Sequence, residues 1–146
     1  MRILNIVGSN VVNAGDEQIA PGKGPLERLA TKCAAELSAA GHEAETVFLR
    51  GSEIQFCDHC EICYRIEDCD KNDDFWPIYE SLKAADGVIL YTSVTCAMMS
   101  PKLAAFLQRA GRVARRHGRK FSGERSGVFL EEFTWGGNLV LQQLKF

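Results

Sequence analysis

Four short apolar runs alternate with stretches whose apolar residues recur at helical spacing, and this alternation restricts the fold more than any other feature of the sequence. The runs are Ile3–Val7, Ala44–Leu49, Gly87–Tyr91 and Gly127–Leu130. They are short and mostly free of charge, as strands buried on both faces are. Between the first two, Leu26, Leu29, Ala30, Cys33, Ala34 and Leu37 share one face of a helix. Pro25 suits its first turn, and Gly41 stands where a glycine closes a helix. Asp73-Asp74 can cap a second helix bearing Phe75, Ile78, Tyr79 and Leu82, with Pro77 tolerated in its first turn. Pro101 opens a third, with Leu103, Phe106 and Leu107 on one side, and an amphipathic stretch runs from Gly137 to Phe146. Such alternation implies βαβ crossovers, hence an α/β fold with a doubly wound parallel sheet covered on both faces. The chain reads as a single domain, 1–146, with a cysteine-rich insert over residues 50–73.

In sheets of this kind ligands bind beyond the carboxyl ends of the strands. Three loops are expected there, over residues 8–24, 92–100 and 131–137, and the insert makes a fourth. Gly8-Ser9-Asn10 offers a backbone turn and two polar side chains that suit a phosphate near a helix N-terminus. Thr92, Ser93, Val94, Thr95 and Cys96 begin a loop rich in hydroxyls and amides. Gly136-Gly137 gives a turn where backbone can approach a flat ring, with Trp135 beside it to stack or to pack. Neither a dinucleotide fingerprint nor a phosphate-binding P-loop is present.

Cys57, Cys60, Cys63 and Cys69 form the pattern C-x2-C-x2-C-x5-C. Tight spacing lets one stretch of backbone aim consecutive sulfurs at one 4Fe–4S cluster, which takes one cysteine per iron. Structural zinc more often uses two separated C-x2-C pairs, so zinc is the rival reading. A cysteine-rich loop without metal is the third. His59 is either an alternative ligand or an exposed loop histidine. The surrounding Asp58, Glu61, Glu67, Asp68 and Asp70 place negative charge near the thiols, which disfavours a reduced cluster. Cys33 reads as a small core residue, and Cys96 as either a buried thiol or a cofactor contact.

The net charge of −2 offers no global field for nucleic acid or an anionic membrane. No apolar run approaches the roughly 18–20 residues needed to cross a bilayer, and Met1-Arg2 leads straight into the first strand without a secretory signal. The expected compartment is the cytoplasm. There, six cysteines point to metal or redox chemistry rather than cross-links. Arg109, Arg112, Arg115, Arg116, Arg119 and Lys120 read as a solvated helix face, with docking of an acidic redox partner or a nucleotide phosphate as functional alternatives. His42 and His117 fall at helix ends and need no catalytic role. No nucleophile–base arrangement stands out.

The cysteine run, the Asp73-Asp74 pair, Ala84-Ala85-Asp86-Gly87-Val88-Ile89 and Lys102-Leu103-Ala104-Ala105-Phe106-Leu107-Gln108-Arg109 resemble the iron–sulfur flavoprotein branch of the NAD(P)H-dependent FMN reductase family. The resemblance covers nearly the whole chain. It implies a flavodoxin-like fold, FMN at the carboxyl edge of the sheet, a 4Fe–4S cluster on the four cysteines, and electron transfer between the two. It implies NAD(P)H or a redox protein as partner. Such proteins have Gly-Ser-x-Arg and a short phosphate turn where this sequence has Asn10-Val11-Val12 in a longer loop. They read Pro-Val-Tyr where Ser93-Val94-Thr95 stands here, and they run on to a fifth strand and helix. Those departures support an alternative: a non-catalytic flavodoxin-like subunit of a larger redox complex that has lost FMN. They also predict an uncovered sheet edge, and therefore self-association or a partner chain.

Overall fold

A computed structural model describes residues 1–9, 13–14, 17–20, 22–66, 69–116, 126–132 and 136–144. In chain order the elements are β1 (Arg2–Gly8), β2 (Asn13–Ala14), β3 (Glu17–Gln18), α1 (Pro25–Ala39), β4 (Glu43–Phe48), α2 (Phe75–Ala84), β5 (Gly87–Val94), α3 (Pro101–Arg116), β6 (Ser126–Glu132) and α4 (Gly137–Gln143). Single 3-10 turns at Leu49–Gly51 and Ile62–Tyr64 flank the start and the middle of the insert.

The main sheet runs β4-β1-β5-β6, and every pairing in it is parallel. This is the doubly wound α/β fold that the strand–helix alternation calls for. Alternate residues of the central strands feed two cores. Leu4, Ile6, Leu90 and Val94 pack with Phe75, Ile78, Leu103, Phe106 and Val140 from α2, α3 and α4. Val7 and Tyr91 face the other way, onto Leu26 and Ala30 of α1, with Cys33 half-buried against them. Cys33 is thus the small packing residue its helical position suggests.

The buried side chains of Asn5 and Tyr91, on neighbouring strands, pair with each other. Tyr91 donates its hydroxyl to Asn5 Oδ1 at 3.1 Å, and Asn5 Nδ2 donates to the Glu45 carbonyl at 3.2 Å. Burial pushes the Tyr91 phenol well above its ordinary value, with Cys33 adding to the effect.

Local signals fix the helix ends. Gly41 has φ +82°, and the amides of Gly41 and His42 donate to the carbonyls of Ser38 and Leu37, each at 3.0 Å. That paired closure needs a left-handed residue, which glycine supplies without strain. Ser100 caps α3, its Oγ accepting the Leu103 amide at 3.3 Å, and its own amide donates to Thr92 Oγ1 at 3.0 Å.

Two differences from the sequence reading concern loops. Residues 10–24 were expected to lack regular structure, yet Asn13–Ala14 and Glu17–Gln18 pair as a short antiparallel ribbon. Thr92, Ser93 and Val94 were expected in a loop. They are the last three residues of β5, in register with Leu130, Glu131 and Glu132 of β6, and all three are buried. The hydroxyls made this segment look like a loop. Pairing with β6 extends the strand, and Thr92 Oγ1 finds partners at Ser93 and Ser100.

β1 and α3 approach closely at Gly8. A Cβ there would collide with the Ser100 hydroxyl and lie 2.8 Å from Leu103 Cβ. Gly8→Ala is therefore expected to destabilise the protein by about 1–3 kcal/mol through overpacking. Urea unfolding checks this: the midpoint should fall with no change in slope.

Candidate functional site

The insert is an excursion closed at its neck. The Glu53 amide donates to Asp74 Oδ2 at 2.7 Å, and the Asp74 amide returns a bond to the Glu53 carbonyl at 2.9 Å. One step further in, the Gln55 amide donates to Asp73 Oδ2 at 2.8 Å. The Phe75 amide donates to Asp73 Oδ1 at 3.2 Å, so Asp73 also serves the first turn of α2. Sequence reasoning assigned the aspartate pair to helix capping. Asp73 does that, but both residues also clasp the two ends of the cysteine loop.

Arg109 of α3 locks this clasp. Its Nη1 pairs with Asp73 Oδ2 at 2.5 Å, and the two side chains are 1% and 0% exposed. The guanidinium carbon lies 4.2 Å from the centroid of the Phe75 ring, a cation–π contact inside the protein. Burial works against the Asp73 carboxylate, but bonds from Arg109, Gln55 and Phe75 outweigh it and hold the group below the usual carboxylate range. Burial likewise opposes the Arg109 charge, and Asp73 and Cys69 more than restore it. The expected solvated basic face therefore fails at Arg109. The signal was available: Arg109 is three residues after Phe106 and four before Val113, on the buried face of α3. A charge there conflicts with the pattern unless it has a partner.

All four cysteines of the motif, Cys57, Cys60, Cys63 and Cys69, line one recess, together with Asp58, Glu61, Lys71, Arg109, Arg112 and Val113. Arg109 Nη2 donates to Cys69 Sγ at 3.5 Å. Arg112 Nη1 lies 3.1 Å from His59 Nδ1 and its guanidinium sits over the Tyr64 ring at 5.2 Å. Lys71 pairs with Asp58 at 2.9 Å and lowers the carboxyl's proton affinity. The Cys60 thiol is pushed up: an amide bond from Ile62 favours its thiolate, but burial and the carboxylates of Asp70 and Asp58 prevail. His59 and Glu61, on either side of Cys60, have φ of 61° and 62°. Left-handed backbone at two non-glycine residues is strained, and such strain gathers at ligand-holding loops.

The sulfurs share a recess but not a coordination sphere. Among the described residues, no group of three His, Cys, Asp or Glu side chains is arranged to hold a metal ion. The donor set nonetheless suits an iron–sulfur cluster: four thiols from one loop, and three cations around what would be an anionic group. Glu67 and Asp68, counted in the acidic loop, lie outside the described residues.

The flavin-edge expectations divide. Ser9, Thr92, Ser93 and Val94 are buried. Thr95 and Cys96 are exposed, which overturns the buried-thiol reading of Cys96. Thr95 and Met98 exchange two backbone hydrogen bonds of 3.1 Å across Cys96-Ala97, whose φ values are 50° and 62°. This is a tight turn in which both central residues are left-handed. Gly136, with φ +97°, lies against it; a Cβ on Gly136 would come 2.5 Å from Ala97 Cα. Gly137 is buried at the start of α4. The structure thus brings the ends of β5 and α4 together. Asn10 and Trp135 lie outside the described residues.

At the start of α1, the Gly24 amide donates to Glu27 Oε2 at 2.8 Å and Arg50 Nη2 donates to the same oxygen at 2.9 Å. Arg50 also donates to the Ile19 and Ala20 carbonyls, and Glu27 is fully buried. No signal in the sequence singled out this pair.

Asp73→Ala leaves the Arg109 guanidinium buried without its counter-charge, and is expected to cost about 3–5 kcal/mol at neutral pH. Because Asp73 titrates below its unfolded value of about 3.9, its contribution is present above that pH and is lost as pH falls through the lower folded value. The difference between wild type and variant should therefore shrink in acid, in unfolding curves taken from about pH 6 to pH 2.

Sequence comparison aligns about half of the chain with proteins named iron-sulfur flavoprotein. One from Archaeoglobus fulgidus is 33% identical over 73 residues, which is 50% of this chain and 37% of that protein. One from Methanosarcina thermophila is 32% identical over 77 residues, 53% of this chain and 40% of that protein. The chain therefore matches less than half the length of these relatives. Among solved structures, RosB with the bound intermediate 8-demethyl-8-formylriboflavin-5'-phosphate superposes with TM-score 0.65 at 16% identity, over 99% of this chain and 58% of RosB. A flavone reductase superposes with TM-score 0.52 at 14% identity, over 98% and 57%. These likenesses show the shared flavodoxin-like fold. The model of the family described as NADPH-dependent FMN reductase matches residues 1–145, so the chain belongs to that family.

Proposed function

We propose that this protein is an FMN-dependent oxidoreductase that exchanges electrons between FMN and an iron–sulfur cluster held by Cys57, Cys60, Cys63 and Cys69. One observation carries the reading: the four motif cysteines open onto a single cation-bordered recess. Family membership supports the flavin. When bound, the flavin supplies hydride or single-electron chemistry and the cluster single-electron chemistry. The chain's own part is to bind and orient. The clasp of Asp73 and Asp74 closes the neck of the cysteine loop at the start of α2. The exposed residues Thr95 and Cys96 and the Gly136 turn stand at the carboxyl ends of the strands, where flavins bind in such folds. The reductant in this reading is NAD(P)H or a redox protein, and self-association through an outer strand of the sheet, β4 or β6, belongs to the same reading.

A second reading keeps the cluster without the flavin, in a non-catalytic subunit of a larger redox complex. Glu27 favours it, because its carboxylate takes the Gly24 amide at the start of α1, beside the turn expected to cradle a phosphate.

A visible spectrum of the anaerobically purified protein, with iron and zinc analysis, separates these readings. The first expects flavin bands in the blue, a broad shoulder beyond them and about four irons per chain. A brown protein without flavin supports the second. A colourless protein, or zinc without iron, overturns both. Cys63→Ser is expected to lower bound iron sharply while leaving the far-ultraviolet circular dichroism unchanged.

A further inference from the structure

We infer that Arg109 sets the reduction potential of the metal centre, acting on Cys69 through one end of its guanidinium while Asp73 holds the other. The inference rests on the cluster reading given under Proposed function and adds a residue that the cysteine motif does not contain.

The geometry is two-ended. Nη1 is held by Asp73 Oδ2 at 2.5 Å and reaches the Gln55 carbonyl at 3.4 Å. Nη2 is left to the sulfur of Cys69 at 3.5 Å. The Phe75 ring under the guanidinium fixes its plane. A lysine has a single charged nitrogen and cannot meet both partners in this fixed fork. Nε of Arg109 and Nε of Arg112 are buried with no hydrogen-bond partner among the described residues.

A donor and a permanent positive charge at a ligating sulfur act in one direction. They favour the more negative, reduced state of the centre. Reduction here adds one electron at iron. No bond forms or breaks, and the centre gains one negative charge. The described carboxylates of the loop, Asp58, Glu61 and Asp70, push the other way, but all three residues are exposed. Solvent and salt screen exposed charges far more than a buried one in contact with its target. Asp73 neutralises Arg109 only in part, because it sits on the far end of the fork from Cys69. The net effect of Arg109 is to raise the potential.

The test compares wild type with Arg109→Lys and with the double variant Arg109→Gln/Asp73→Asn. The double variant removes the ion pair as a unit and leaves neither charge stranded. Each protein is reconstituted anaerobically with iron and sulfide, checked by circular dichroism, assayed for iron, and titrated with dithionite as electron donor under electron paramagnetic resonance. Both variants are expected to keep their iron and to show at least a tenfold lower reduced-to-oxidised ratio at the wild-type midpoint. That equals a shift of about 59 mV to lower potential for a one-electron couple. Potentials equal to wild type in iron-loaded variants would overturn the role of Arg109 and leave the cluster reading intact. Loss of iron from folded variants would also overturn it, making Arg109 a requirement for assembly instead. A wild-type protein that takes up no iron would overturn the cluster reading and this inference together.

Discussion

The buried pair between Arg109 and Asp73 is the interaction that ties the cysteine loop to the helices. It joins α3, the start of α2 and both ends of the insert at one point. A buried ion pair contributes little net stability compared with an apolar contact, since both charges lose their hydration. Its value lies in being unforgiving. An Arg109 placed one turn away would be stranded in a core of Phe75, Phe106 and Val113. The pair therefore fixes where the loop sits on α3.

The two candidate regions are built by different physics. At the cysteine recess, charge and hydrogen bonding dominate: three cations, two carboxylates and four thiols surround a partly open space. At the carboxyl ends of β1 and β5, close backbone packing dominates. Gly8 touches Ser100 and Leu103, and Gly136 touches Ala97. The sheet holds these neighbours in register, because Gly8 pairs with Thr92 and Val94 with Glu132. The strained Cys96-Ala97 turn stands at that edge. Strain at that place is consistent with a site shaped for a ligand.

Much of the architecture was legible in residues close together in the chain. Gly41, Pro25, Pro101 and the apolar periodicities mark elements through local geometry, and the structure places helix ends where those residues stand. Thr92 to Val94 misled because hydroxyls resemble loop chemistry, while their strand state comes from pairing with residues almost forty positions later. Arg109 misled because the arginines around it suggested a solvated face. Its helical phase pointed inward, but nothing local revealed which carboxylate would receive it. The pairing of Glu27 with Arg50 was equally silent, since those residues are also far apart in sequence.

By itself the sequence determined the strand–helix alternation, the parallel sheet that follows from it, and the presence of four thiols within one short loop. These depend on periodicity and covalent spacing, which act over a few residues. Only the tertiary structure decided that Asp73 clasps the loop, that Arg109 is buried beneath it, and that one end of its guanidinium faces Cys69. Those contacts join groups 36 and 40 residues apart. They exist because packing α3 against the sheet brings a buried charge to a carboxylate that neutralises it.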